Sequence, residues 1–142
     1  MNSDKQKLRS EISSADKWNI EAMYPEEKGF SDDISSGLLK AESLAAMQGH
    51  IMDSPSSLLN ALITYSEAVR KVERAYIYAH MKRDEDNSDS RCTEMYGKAS
   101  GALTTLSSIV SFIISTLLMS DVILWSGVIT LEKPSFNIRV IL

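Results

Sequence analysis

The chain has 142 residues, enough for one domain with a modest core and short for two. Its net charge of −4 and its lack of a basic stripe exclude nucleic-acid binding by phosphate neutralisation. The one cysteine, Cys92, has no partner for an internal disulfide, which fits a reducing cytoplasm.

Residues 1–11 are polar and charged with no apolar h-region, so no secretory signal is expected. A lead-in over residues 1–30 carries Trp18, Ile20, Met23, Tyr24 and Pro25. Large apolar residues in a mostly irregular, Pro-terminated segment read as anchors for another surface, exposed in isolation. A shorter helix is predicted over 31–48. Ser31 is its cap, Asp32 and Asp33 place negative charge in its first turn, and Gly49 is its C′ stop. Ile34, Leu38, Ala41, Ala45 and Met47 give it an apolar side.

The next segment is the clearest helix. Ser54 can cap it, Pro55 suits the first helical position, and no Gly or Pro follows before Asp86. Leu58, Leu62, Tyr65, Val69, Val72, Tyr76 and Ala79 recur at alternating spacings of four and three, a stripe that keeps one face on a partner helix. Arg70, Lys71, Glu73 and Arg74 fill the solvated positions between them.

After a polar break over 84–90, the same alternation runs through Cys92, Tyr96, Ala99, Leu103, Leu106, Val110, Ile113 and Leu117. Two long helices with matching seams and a short link predict an antiparallel hairpin. Ile109, Phe112, Ile114 and Leu118 lie off that seam, so the second helix is expected to be covered on more than one side. Only Asp121, Glu132, Lys133 and Arg139 are charged beyond Lys98, and positions 99–120 hold no charge, a length that could span a bilayer. Nine Ser and Thr residues in that run, mostly along one side, favour a buried helix packed between neighbours over a membrane span. From Met119 no period dominates. Val122, Ile123, Leu124, Trp125, Val128, Ile129 and Leu131, with Gly127 and Pro134 among them, read as a strand-like or irregular apolar tail over 119–142. Such a tail is an association hazard. The expected fold is all-α: a long antiparallel helical hairpin, a shorter N-terminal helix and an irregular C-terminal tail, divided at 1–30, 31–118 and 119–142.

No active site assembles from these residues. A zinc-protease helix needs two histidines four apart with a Glu after the first, and the two histidines here, His50 and His80, stand thirty residues apart. Each reads as a structural residue near a helix end. Cys92 and His80 flank an acidic loop of Asp84, Glu85, Asp86 and Asp89, a field that raises a thiol pKa and so opposes catalysis. Read as a calcium loop from Asp84, the same segment has Asp89 at the turn glycine and Met95 at the bidentate glutamate. A solvated turn with an N-cap among Asn87, Ser88 and Asp89 is the better reading.

One resemblance stands out. The series Arg9-Ser-Glu-Ile, Lys17-Trp-Asn-Ile and Met23-Tyr-Pro resembles the opening of oligoendopeptidase F, a bacterial zinc metalloendopeptidase related to thimet oligopeptidase. Ser57-Leu-Leu-Asn-Ala-Leu, Tyr76-Ile-Tyr-Ala-His-Met, the Asp84-Glu-Asp turn, Met95-Tyr-Gly-Lys-Ala and Leu106-Ser-Ser-Ile-Val-Ser-Phe-Ile are similar to its N-terminal helical hairpin. The series covers residues 7–118. Phe30 stands where the family usually has Trp, and Ser115-Thr116 follow Phe112 where the family commonly places Pro-Glu.

The resemblance implies a truncated family member that ends before the catalytic domain. Its helical lobe would wall the substrate channel, while zinc and its ligands belong to the part of the family that lies downstream. The chain alone is then not an enzyme and binds no cofactor. Its expected partners are a catalytic zinc domain in trans or a second copy of itself, with Trp18, Tyr24, Tyr76, Tyr78 and His80 as the docking surface. The alternative is a helical protein–protein interaction module with no peptidase connection.

Overall fold

The computed structural model of the chain describes the backbone of residues 11–130 and side chains through Met119. Among the described residues there are two short 3-10 turns, Ser14–Asp16 and Ile20–Ala22, three α-helices and no strand. The helices are α1 (Glu27–Ala45), α2 (Pro55–Glu85) and α3 (Ser90–Thr130). The all-α expectation holds. The chain's contacts gather into two units, Met1–Val110 and Ser111–Leu142.

Helix α1 begins four residues before its predicted start. Glu26, in extended conformation, takes the N-cap position, and its carbonyl accepts the Gly29 N–H at 3.1 Å. Ser31 is therefore an interior residue. Lys28 pairs with Asp32 one turn on at 2.6 Å, and Asp33 is taken up by tertiary contacts. The first turn is fixed by burial of Phe30 rather than by a side-chain cap. The helix ends at Ala45, and Gly49 sits in the turn that follows instead of at C′, with φ of 86°.

Helix α2 starts as its sequence dictates. The Ser54 hydroxyl accepts the Ser57 N–H at 3.0 Å, and Pro55 is the first helical residue. The buried face follows the predicted stripe only in part: Val72 and Ala79 of the stripe are fully enclosed, but so are Ala61, Ala68 and Ala75 off it, while Leu62 is exposed. Small residues face inward because α1 approaches closely. A Cβ on Gly37 of α1 would lie 2.6 Å from Val72 Cγ2 and 3.2 Å from the Ala68 carbonyl oxygen. Asp33 meets Lys71 at 2.8 Å and Lys40 meets Glu67 at 2.6 Å, so the residue numbers fall along α2 as they rise along α1 and the two helices run antiparallel.

The link to α3 is a capped turn. Asp86 accepts the Ser88 N–H at 2.9 Å, and Asp89 accepts the Arg91 N–H on its carboxylate at 2.8 Å and the Thr93 N–H on its carbonyl at 3.1 Å. Asp89 is the N-cap. Cys92, Met95, Ala99, Ala102, Leu106 and Val110 are buried on α3. Met95 and Ala99 join Ala75, Tyr78 and Ala79 of α2 in one core cluster.

Two expectations fail beyond that point. The tail does not become irregular at Met119; α3 continues to Thr130. Apolar residues on every side obscure the period there, and no Pro or Gly precedes Gly127 to stop hydrogen bonding from propagating. Nor is this stretch covered on several sides, since Ile114, Leu118 and Met119 are all more than half exposed. The strand-like reading of 131–142 lies outside the described residues.

Candidate domain-docking surface

The lead-in is not free in solution. Ile20 and Tyr24 are buried, and Tyr24, Phe30 and Tyr78 form an aromatic cluster with Tyr24–Phe30 and Tyr24–Tyr78 centroid distances of 6.1 and 5.0 Å. Two of the five residues expected to form a docking surface, Tyr24 and Tyr78, thus face the core. The chain supplies its own surface for them, from Phe30 of α1 and Ala75, Tyr78 and Ala79 of α2.

Polar contacts complete that anchor. The Tyr24 hydroxyl donates to Asp33 Oδ2 at 2.7 Å, and Lys71 Nζ donates to Asp33 Oδ1 at 2.8 Å. The Arg74 guanidinium lies 4.7 Å from the Tyr24 ring centroid and donates to the Met23 carbonyl at 2.5 Å. Lys82 reaches Glu21 at 2.8 Å, and Arg91 pairs with Glu27. Partial burial alone would raise the Asp33 carboxyl. Hydrogen bonds from Lys71 and Tyr24, with the Lys71 and Arg74 charges, outweigh it and hold its pKa below the usual carboxylate value. Burial, followed by the Asp33 hydrogen bond and charge, pushes the Tyr24 phenol above its ordinary range. Lys71 and Arg74, read from sequence as solvated positions, are structural ties.

Trp18, by contrast, is 82% exposed. It borders an open depression of about 460 Å³ shared with Ile20, Met81, Asp84 and Glu85. Tyr76 and His80 are half-buried around Tyr96 of α3, with centroids 5.7 and 5.5 Å from its ring. The Arg83 guanidinium lies over that ring, 3.8 Å from its centroid. The Tyr76 phenol is raised and the Tyr96 phenol lowered by the hydrogen bond they share. His80 Nδ1 lies 3.0 Å from Asp84 Oδ2. Of the five expected residues, Trp18 is largely exposed and Tyr76 and His80 are half-buried.

Sequence reasoning missed a second outward face. Leu59, Ile63 and Ile77 of α2 are exposed, and Ile77 borders an open groove of about 570 Å³ with Met23, Val69, Arg70 and Arg74. Leu59, Ile63 and Ile77 fall off the four–three stripe, which was the available signal.

The titratable groups are arranged for structure. Cys92 Sγ donates to Asp89 Oδ2 at 3.5 Å, and burial, then that bond and charge, raises the thiol pKa. A thiol held protonated is a poor nucleophile. His50 Nδ1 lies 2.9 Å from Asp53 Oδ2, as His80 lies against Asp84. Among the described residues no three His, Cys, Asp or Glu side chains converge to hold a metal ion. Each histidine is turned to a single local carboxylate.

The chain matches no protein-family model and no solved structure. It is 26% identical over 110 residues to oligopeptidase PepF of Bacillus subtilis, covering 78% of this chain and 16% of the relative. It is 26% identical over 104 residues to group B oligopeptidase PepB of Streptococcus agalactiae, covering 73% and 17%. It is 27% identical over 109 residues to the oligoendopeptidase F homolog of Lactococcus lactis, covering 75% and 18%. Over about three quarters of its own length, and about one sixth of theirs, the chain is similar to the oligoendopeptidase F peptidases.

Proposed function

We propose that this chain is a non-catalytic helical lobe corresponding to the N-terminal region of oligoendopeptidase F, which walls the substrate channel of a zinc domain carried on another chain. In this reading α2 and α3 form an antiparallel hairpin that works in the cytoplasm as one wall of a peptide-binding cleft. The observation that carries it is the match of 110 residues, most of this chain, to a small part of a much longer oligopeptidase. The four-residue link between Glu85 and Ser90 and the contact of Tyr76 with Tyr96 support the hairpin. In this reading Trp18, which is exposed, and the half-buried Tyr76 and His80 are the part of the expected docking surface that would meet the zinc domain.

The test is complementation. Bacillus subtilis PepF lacking the matched segment is expressed separately, and a quenched fluorogenic peptide reports cleavage. The chain alone with added zinc is expected to give no turnover. Adding it to the shortened peptidase is expected to raise turnover at least tenfold, sensitive to chelator. Chelator-sensitive cleavage by the chain alone would overturn the non-catalytic assignment. A mixture no faster than the shortened peptidase would overturn the docking role, and a stable complex with an unrelated protein would then point to an interaction module.

A further inference from the structure

Trp18 is the most exposed of the large apolar side chains among the described residues, although Ile20, two residues on, is buried. The turns Ser14–Asp16 and Ile20–Ala22 flank it on either side. It borders an open depression of about 460 Å³ whose other lining residues are Ile20, Met81, Asp84 and Glu85. An apolar floor with an indole at its side and carboxylates at its rim is a narrow specification for an occupant.

Charge gives the first half of that specification. Lys82 serves both Glu21 and Glu85, at 2.8 and 3.3 Å, while Asp84 takes Arg83 at 3.3 Å and His80 at 3.0 Å. Lys82 and Arg83 thus stand among Glu21, Asp84, Glu85 and Asp86, and the carboxylates outnumber them. The chain as a whole carries a net charge of −4, so a cation is drawn to this end of α2. The fold's own aromatic pairings give the second half. The Arg74 guanidinium lies 4.7 Å from the Tyr24 centroid and that of Arg83 lies 3.8 Å from the Tyr96 centroid. Among the described residues no cation lies over Trp18, although indole is the best ring for one. Arginine answers every part of the site. Its planar head stacks on an indole and donates to carboxylates, and its stem covers apolar surface.

We infer that the depression beside Trp18 receives an arginine side chain from a partner protein, with its stem against Ile20 and Met81 and its guanidinium between the indole and Asp84. The inference rests on the docking role of Trp18 proposed above and names the chemistry of the partner's surface there. Fluorescence anisotropy of a labelled Gly-Ala peptide with one central arginine reads binding to the full chain. Twin peptides carry citrulline, the neutral isostere, or leucine at that place. The arginine peptide is expected to bind at least fivefold more tightly than either twin, and less tightly as salt is raised. Trp18→Ala is expected to weaken it at least fivefold with helicity by circular dichroism unchanged, and D84N to weaken the arginine peptide but not the citrulline twin. Equal binding of the citrulline twin overturns the inference, tighter binding of the leucine twin replaces it with an apolar occupant, and binding that Trp18→Ala leaves unchanged places the site elsewhere. No binding also overturns it, and a dimer in sedimentation would then name a second copy as the occupant. Complementation that succeeds while the arginine peptide fails keeps the docking role and removes only the arginine. Complementation that fails while the peptide binds keeps the site and removes the zinc domain as its partner.

Discussion

The Tyr24 hydroxyl donates a 2.7 Å hydrogen bond to Asp33, tying the lead-in to the second turn of α1. The other oxygen of the same carboxylate takes Lys71 of α2, so one side chain that is 15% exposed joins three segments of the chain. Groups linked in this way are costly to remove singly, because each deletion leaves a partly buried partner unpaired.

Asp33→Asn is expected to destabilise the fold by about 2 kcal/mol, measured by urea denaturation at neutral pH. The pH dependence follows from the depressed carboxyl pKa. The unfolded chain binds that proton more readily than the fold does, so the stabilisation is fully present above the unfolded value, about 3.9. It is lost as pH falls toward the lower folded value. The denaturation midpoint of the natural chain should therefore fall more steeply between about pH 4 and pH 2 than that of D33N. Equal slopes would show that Asp33 is not ionically held.

Gly37 is expected to tolerate no side chain. Alanine there places a Cβ 2.6 Å from Val72 Cγ2, and both helices are closely packed at that level. Gly37→Ala gains helix propensity but is expected to lose about 1–3 kcal/mol net through overpacking. In the double variant G37A/V72A the clash partner is gone, so the two losses should sum to more than the loss measured for the pair. Simple additivity would place the cause elsewhere.

Trp18 and Tyr78 should separate binding from folding. Tyr78→Ala removes a side chain that is 7% exposed and touches Tyr24 and Phe30, with an expected loss of about 3–5 kcal/mol. Trp18→Ala should change stability by no more than about 0.5 kcal/mol, because its ring is 82% exposed. If Trp18 docks on a zinc domain, the same substitution should lower complementing turnover roughly tenfold at fixed concentration. Thermal melts and the peptide assay on the two variants read both effects.

Much of this was legible in the residues. The Ser54-Pro55 start and the acidic turn at Asp89 are local signals, written in side chains that satisfy neighbouring backbone. The inward face of α2 was not, because hydrophobic counting favours Leu62 over Ala61 and Ala68, while packing selects whichever residue lets two backbones approach. The start of α1 escaped for a related reason. Ser31-Asp32-Asp33 is a good cap by composition, yet burial of Phe30 against Tyr24 and Tyr78 extends the helix past it. The inward turn of Tyr24 needed Asp33, Lys71 and Arg74 together, from positions no local window spans.

The ties on the lead-in also set an order of assembly. Met23 is held by Arg74, 51 positions downstream, Glu21 by Lys82 at 61, and Glu27 by Arg91 at 64. Contacts between residues so far apart close slowly and only after the intervening chain exists. On a ribosome, the segment around Tyr24 emerges early and must wait, with its apolar side chains uncovered, until α2 and the first turn of α3 have followed. The segment around Tyr24 is made before the helices that hold it in place.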